Sequence, residues 1–173
     1  MFKDVVQDAL NAQINMELGA FYTYLSMAAY FESEGLPGFS TWMYHHAEEE
    51  MVHAMKIYDF IHERRGRVSL RSLSAPRTEW GSAYEAFEDA LHHEQMVTDS
   101  INKLVDLAKE QSDHATHSFL LWFVDEQVEE EAVVDEVLQK LKHIGDFGPG
   151  LYLLDRELAA QSPEKAAEGE EAD

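Results

Sequence analysis

The feature that most constrains this chain is a helical period sustained four times over, with one long interruption. From about Val5 to Ser33, the residues Leu10, Ile14, Leu18, Phe21 and Leu25 recur at three- and four-residue steps, the spacing of side chains on one face of a helix. "EGLPG", Glu34 to Gly38, ends this period. Gly35 is the predicted C-terminal stop, and Pro37 is read as unable to continue a helix. A second period starts near Ser40, runs to about Arg65 and stops at Gly66. A third starts near Ser82, where Ser82 and Glu85 match a capping box, and runs to about Glu110. Asp113 is the predicted cap of a fourth, which continues to about His143. "GDFGPG" breaks the chain there, and a short fifth helix from about Leu151 to Ala160 follows. From Ser162 the tail "SPEKAAEGEEAD" is polar, acidic and expected to be disordered.

The interruption is "RVSLRSLSAPRTEWGS". It is about fifteen residues without a helical period, longer than an ordinary connection in a compact domain. A crossover in a four-helix bundle explains it, because the next helix then starts at the other end. A helix of about 28 residues is about 42 Å long at 1.5 Å per residue. There is no sustained strand alternation, Gly-rich phosphate loop, serine elbow or solenoid repeat. The expected fold is all-α: a long four-helix bundle with one long crossover and a short fifth C-terminal helix. One domain covers 1–161, with the acidic tail at 162–173.

Composition narrows the chemistry. The chain has 173 residues, 45% of them hydrophobic, which suits a single domain with a real core. Cysteine is absent, which removes disulfides, thiolate metal sites and thiol nucleophiles. Any metal must be held by oxygen and imidazole nitrogen, a donor set that suits iron, manganese or zinc. The net charge is −21 with 13 basic residues, which argues against nucleic acid and against an anionic membrane surface. It suits either attraction of cations or an acidic surface adapted to a salty cytoplasm. No apolar run reaches the length of a membrane span, and charges occupy the N-terminus where a signal peptide needs an apolar block. A cytoplasmic protein is expected.

The polar residues inside the helical periods are the informative ones. In "HHAEEEMVHA", Glu50 and His53 are three apart and so neighbours on one helix face, able to address one ion, whereas Glu48 is well off that face. Glu17 sits among Ile14, Leu18 and Phe21, where an unpaired carboxylate costs several kcal/mol. The third helix offers Glu94 in "ALHHEQMV", and the fourth offers Glu126, Gln127, Glu129 and Glu130 in "WFVDEQVEEEAVV". Each of the four helices thus has an inward candidate near its middle. A two-metal site in a helical bundle uses one Glu from each of two helices plus Glu-x-x-His pairs from others.

With these pieces assembled, the chain resembles the prokaryotic non-haem ferritins of the ferritin-like diiron superfamily. The resemblance is carried by "NMELGAFYTYL", "HHAEEEMVH", "LHHEQ", "FLLWFVDEQVEEE" and "GPGLYLLDREL" and covers residues 1 to about 161. It implies iron storage and detoxification: Fe(II) is oxidised to Fe(III) by dioxygen or hydrogen peroxide at a diiron centre within one subunit, and ferric mineral collects in a hollow cage. It implies that Glu17, Glu50 and His53 hold one iron, and that Glu50, Glu94 and Glu130 hold the second, with Glu50 bridging. Gln127 would stand beside the second iron as a polar neighbour and Tyr24 next to the pair. Glu49, Glu126 and Glu129, sharing Glu130, would form a third iron site on the cage side. The cage would contain about twenty-four copies, with the fifth helix along its four-fold axes and Leu151, Leu153, Leu154 and Leu158 supplying the apolar side for those contacts.

The other readings of these residues are plainer. Gln127 also serves as an ordinary hydrogen-bond partner, and Trp122 reads as core packing. His45, His46, His92 and His93 read as non-ligands, with His46, one turn before Glu50, as a neighbour of the site. Met51 occupies a place where related haem-binding proteins use a methionine. The fourth helix, however, carries Gln127-x-x-Glu130 where those relatives carry a second Glu-x-x-His, so no haem is expected. A metal-free acidic bundle of purely structural role is the reading furthest from the resemblance.

Overall fold

A computed structural model describes residues 2–145 and 148–161. It contains α1 (Asp4–Ser33), α2 (Pro37–Glu63), α3 (Ala83–Glu110), α4 (His114–Ile144) and α5 (Gly148–Ala160). There is no strand among the described residues. The tail from Ser162 lies outside them. Among the described residues no helix is long and apolar enough to cross a membrane.

The helix ends follow local chemistry. Gly35 adopts φ +74°, and Leu36 N donates to the Phe31 carbonyl, closing α1 with a left-handed turn that glycine takes without strain. The Ser82 hydroxyl accepts from Glu85 N, and the Glu85 carboxylate reaches back to Gly81 N. Asp113 accepts from Thr116 N and is gripped by Arg64 at 2.9 Å, so the α4 cap also ties down the end of α2. Two boundaries differ from the sequence reading. α2 begins at Pro37, not Ser40, because a proline in the first turn gives up an N–H that has no helical partner anyway. For the same reason α5 begins at Gly148, with Pro149 inside its first turn.

α1 lies along α2, α3 along α4, and α1 against α3 joins the two hairpins. The backbones of α2 and α4 approach less closely, which leaves a groove between them. The crossover runs along α1. Asn11 holds the backbone of Arg67 and Ser69, Ser26 holds the carbonyl of Arg77, and Tyr30 holds that of Trp80. From Asn11 to Tyr30 the helix rises about 28 Å, so the long connection is used to travel the length of the bundle.

The apolar interior has two halves. One contains Phe31, Phe39, Trp42, Phe87 and Val134, with Leu154 and Leu158 of α5 against it. The other contains Leu10, Ile14, Ile57, Phe60, Ile101, Leu120 and Phe123. Between them lies a layer of buried Gln13, Glu17, Glu50, His53, Glu94, Gln127 and Glu130. The position of Leu154 and Leu158 corrects one expectation. They pack inside their own subunit, and it is Tyr152 and Leu153 that stand 61% and 65% exposed.

Candidate metal centre

Each helix presents its polar residue to the middle layer because that residue falls on the stripe its neighbours bury. Glu17 follows Leu10 and Ile14, Glu50 follows Met43 and Ala47, Glu94 lies between Ala90 and Val97, and Glu130 lies between Phe123 and Val134. Glu17, Glu50, Glu94, His53, Gln127 and Glu130 are all at least nine-tenths buried. Ligand atoms of Glu17, Glu50 and His53 lie within 4.8 Å of one another, as do those of His53, Glu126 and Glu130.

The carboxylates are not satisfied by the protein. Glu17 Oε1 accepts from Gln13 Nε2 at 2.8 Å, but Glu17 Oε2 has no partner. Glu50 Oε2 and Glu130 Oε2 also lack hydrogen bonds, although His53 Nδ1 and His46 Nδ1 stand 3.4 and 3.2 Å away in ion-pair contact. Glu94 is held more firmly: the Tyr24 hydroxyl donates to Oε1 and Gln127 Nε2 to Oε2 at 3.3 Å. Buried polar atoms are normally paired. Three orphan carboxylate oxygens in one buried layer, on residues that each group with His53, fit a site built for a cation.

Electrostatics agrees. Burial, and then the charge of Glu50, pushes the Glu17 carboxyl well above the ordinary range. Burial, and then Glu94, does the same for Glu50. Burial also raises Glu94, opposed by the hydrogen bond from Tyr24. Tyr24 itself is raised by burial and by Glu94, so it stays a neutral donor. These acids bind protons more tightly folded than unfolded. In the metal-free protein their contribution to stability is therefore fully present below the ordinary carboxylate range and is lost as pH rises through the raised folded values. A bound cation displaces those protons. Adding Zn(II) without oxygen in weak buffer should release more protons per ion at pH 6 than at pH 8, and apparent affinity should rise with pH, as read by a pH electrode and by calorimetry.

The proposed third-site residues lie on the α2–α4 groove, a cavity of about 260 Å³ with Trp42 and Leu158 in its walls. Glu49 and Glu130 come together with His46, and Glu126 and Glu130 with His53. Glu129 lines the groove but joins neither group. Burial raises the Glu49 carboxyl, opposed by His46.

Three residues complete the site's surroundings: Gln13, which the sequence reading misses, His46, which it reads as a neighbour, and Trp122, which it reads as core. Gln13, four residues before Glu17, holds that carboxylate and in turn accepts from Ser100; a polar residue on the buried stripe is its signal. His46 is nearly buried, 3.8 Å between ring centroids from Trp42, with Nδ1 on both Glu49 and Glu130. Trp122 is not core: it is 37% exposed, edge-on to His53, with the Lys56 ammonium 4.1 Å above its ring.

Comparison with known proteins gives one consistent result. The family described as the ferritin-like domain matches residues 7–144. A bacterial non-heme ferritin of Staphylococcus saprophyticus is 44% identical over 162 residues, covering 94% of this chain and 97% of that protein. One from Staphylococcus aureus is 41% identical over 155 residues, covering 90% and 93%. Among solved structures, an open-pore ferritin of the archaeon Archaeoglobus fulgidus superposes with a TM-score of 0.92 at 46% identity, covering 93% of this chain and 99% of that one.

Proposed function

The chain belongs to the ferritin family, and we propose from that premise that it stores iron, oxidising Fe(II) to Fe(III) inside its own bundle and laying the ferric product down within a hollow cage. The observation that carries this reading is the set of unpartnered oxygens on Glu17 and Glu50, grouped with His53, and on Glu130, which groups with His53 from the other side. Iron is the substrate. Glu17, Glu50 and His53 hold one Fe(II), and Glu50, Glu94 and Glu130 hold the other, with Glu50 between them. The carboxylates of Glu17, Glu50, Glu94 and Glu130 balance the charge of two Fe(II), so the loaded site is neutral in a low-dielectric core.

The surrounding residues hold this arrangement. Gln13 orients Glu17, while Tyr24 and Gln127 fix the two oxygens of Glu94. His53 binds as neutral imidazole. Two Fe(II) lose one electron each; dioxygen takes both electrons and two protons and leaves as hydrogen peroxide. Hydrogen peroxide is the second oxidant that fits, taking two electrons and two protons to give two waters. The site has then gained two positive charges that its four carboxylates no longer balance, which favours departure of Fe(III) toward the acidic groove of Glu49, Glu126 and Glu129. Those residues form a third iron site there. In this reading the centre uses no haem: Gln127-x-x-Glu130 stands where the haem-binding relatives carry a second Glu-x-x-His, and the Gln127 amide donates to Glu94.

The cage is built from about twenty-four copies, with the exposed Tyr152 and Leu153 of α5 buried between subunits. We place it in the cytoplasm. The test is to add about two Fe(II) per chain to metal-free protein in air, recording ferric absorbance and oxygen uptake together. Fast oxidation that saturates at that ratio is expected; oxidation no faster than in buffer returns the protein to the structural-bundle reading. Zn(II) added first should inhibit, because it outranks Fe(II) on oxygen and imidazole donors.

A further inference from the structure

The buried centre is flanked by two openings of opposite chemistry, one on each side of α4. The first is the acidic groove toward α2, whose walls include Glu49, Glu126 and Glu129. The second is a pocket of about 290 Å³ in the seam between α3 and α4. Ile101, Val124 and Val128 form its apolar side, and Thr98, Asn102, Gln127 and Glu131 its polar side.

Three of the four polar residues are already committed. The Thr98 hydroxyl donates to Glu131 Oε1 at 2.5 Å, and Gln127 Nε2 lies 3.4 Å from Thr98 Oγ1 and 3.3 Å from Glu94 Oε2. Gln127 is 3% exposed, so this one side chain touches both the pocket and a carboxylate of the proposed iron pair. The Gln127 amide thus donates both inward to Glu94 and outward to Thr98, and Thr98 passes the series on to Glu131.

A hydrated cation would find little here. It would have to shed water against three aliphatic walls, and the one carboxylate on offer is engaged by Thr98. A small neutral molecule has no such penalty. The cavity is many times the roughly 30 Å³ that a water molecule occupies in the liquid, so size does not exclude one. We propose that the α3–α4 pocket is the port by which dioxygen reaches the Glu94 side of the centre, while Fe(II) uses the acidic side of α4. This rests on the ferroxidase reading above. Its consequence is that oxidant and metal do not compete for one route, and that dioxygen meets Fe(II) only where the ion is already held.

The assembled, full-length protein serves for the test, with Val124→Phe as the variant that fills the pocket and touches none of the proposed iron ligands. The Michaelis constant for dioxygen should rise about ten-fold, with kcat at saturating dioxygen within about two-fold of the parent. Anaerobic binding of Co(II), followed by its visible absorption, should keep its stoichiometry and affinity. Crystals pressurised with xenon, an apolar stand-in for dioxygen, should hold it in the α3–α4 pocket of the parent and not of the variant. Should Val124→Phe fail to assemble, Val124→Leu should give a rise of about three-fold by the same mechanism. An unchanged Michaelis constant, a parallel loss of Co(II) binding, or a parent pocket without xenon each overturns the port. A parent that does not oxidise Fe(II) faster than buffer overturns the ferroxidase reading instead, a result visible before any variant is made.

Discussion

Fe(II) oxidation by a Glu50→Ala/His53→Ala variant should fall to the rate in buffer, a loss of at least about a hundred-fold, while the metal-free variant melts at a higher temperature than its parent. The first half follows from position. Glu50 is placed to serve both irons, and His53 is the single imidazole within ligand distance of Glu17 and Glu50 in the cluster they form. Removing both leaves neither iron with its full donor set, so two Fe(II) are no longer held together to deliver two electrons. The second half follows from what the site does to the empty protein. Burial and Glu94 hold the Glu50 carboxyl well above its ordinary range, and Glu50 Oε2 has no hydrogen bond. Truncating such a group removes a desolvation penalty of about 1–3 kcal/mol. The cavity left behind offsets part of that gain, which Glu50→Gln, close to isosteric, avoids. Stopped-flow absorbance and differential scanning calorimetry on metal-free protein read the two effects separately. A variant that loses activity and stability together would mean that Glu50 is a structural residue. A variant that keeps its activity would remove it from the centre.

The residues that set function against stability in this way are legible in the sequence because they violate the pattern around them. Glu17 breaks an apolar stripe at Ile14, Leu18 and Phe21; Glu50 and His53 share a face by spacing alone. What periodicity does not encode is which side of a polar face a partner helix covers. Trp122 reads as core packing, yet α2 and α4 pack less closely than the helices of either hairpin and Trp122 stays part-exposed. His46 reads as a neighbour, but its grip on Glu130 crosses from α2 to α4 and depends on their separation, which the pattern of one helix does not contain. Pro37 and Pro149 read as breakers because the rule against proline inside a helix is stronger than the rule placing it at the start, and the sequence does not say which turn of the helix it occupies. The same limit applies to α5. Four leucines give it an apolar side, but only docking decides that Leu154 and Leu158 face inward and Leu153 outward.

That docking depends on a close approach at Gly38, and Gly38→Ala should open it. Asp155 Oδ1 accepts from Gly38 N at 2.8 Å and Phe39 N at 3.0 Å, so a side chain of α5 satisfies amides in the first turn of α2 that have no helical partner. The approach is so close that a Cβ on residue 38 would lie 1.7 Å from the Asp155 carbonyl oxygen and 2.6 Å from its carbon. Both are backbone atoms, so no rotamer relieves the clash; α5 or the start of α2 has to move. Gly38→Ala should therefore cost about 3 kcal/mol. Asp155→Ala, which keeps the space but leaves two buried amides unpaired, should cost about 2 kcal/mol. The effects differ at the metal groove as well. Leu158 forms part of its wall, so moving α5 opens the groove beside Glu49 and Glu130 while leaving Glu17, Glu50 and His53 in place. Fe(II) oxidation at about two per chain should survive in Gly38→Ala, whereas assembly, measured by light scattering, and the retention of ferric iron by the assembled protein should both fall. Wild-type assembly in Gly38→Ala would show that α5 docks by its leucines alone, and that the bond from Asp155 to the start of α2 carries none of the joint.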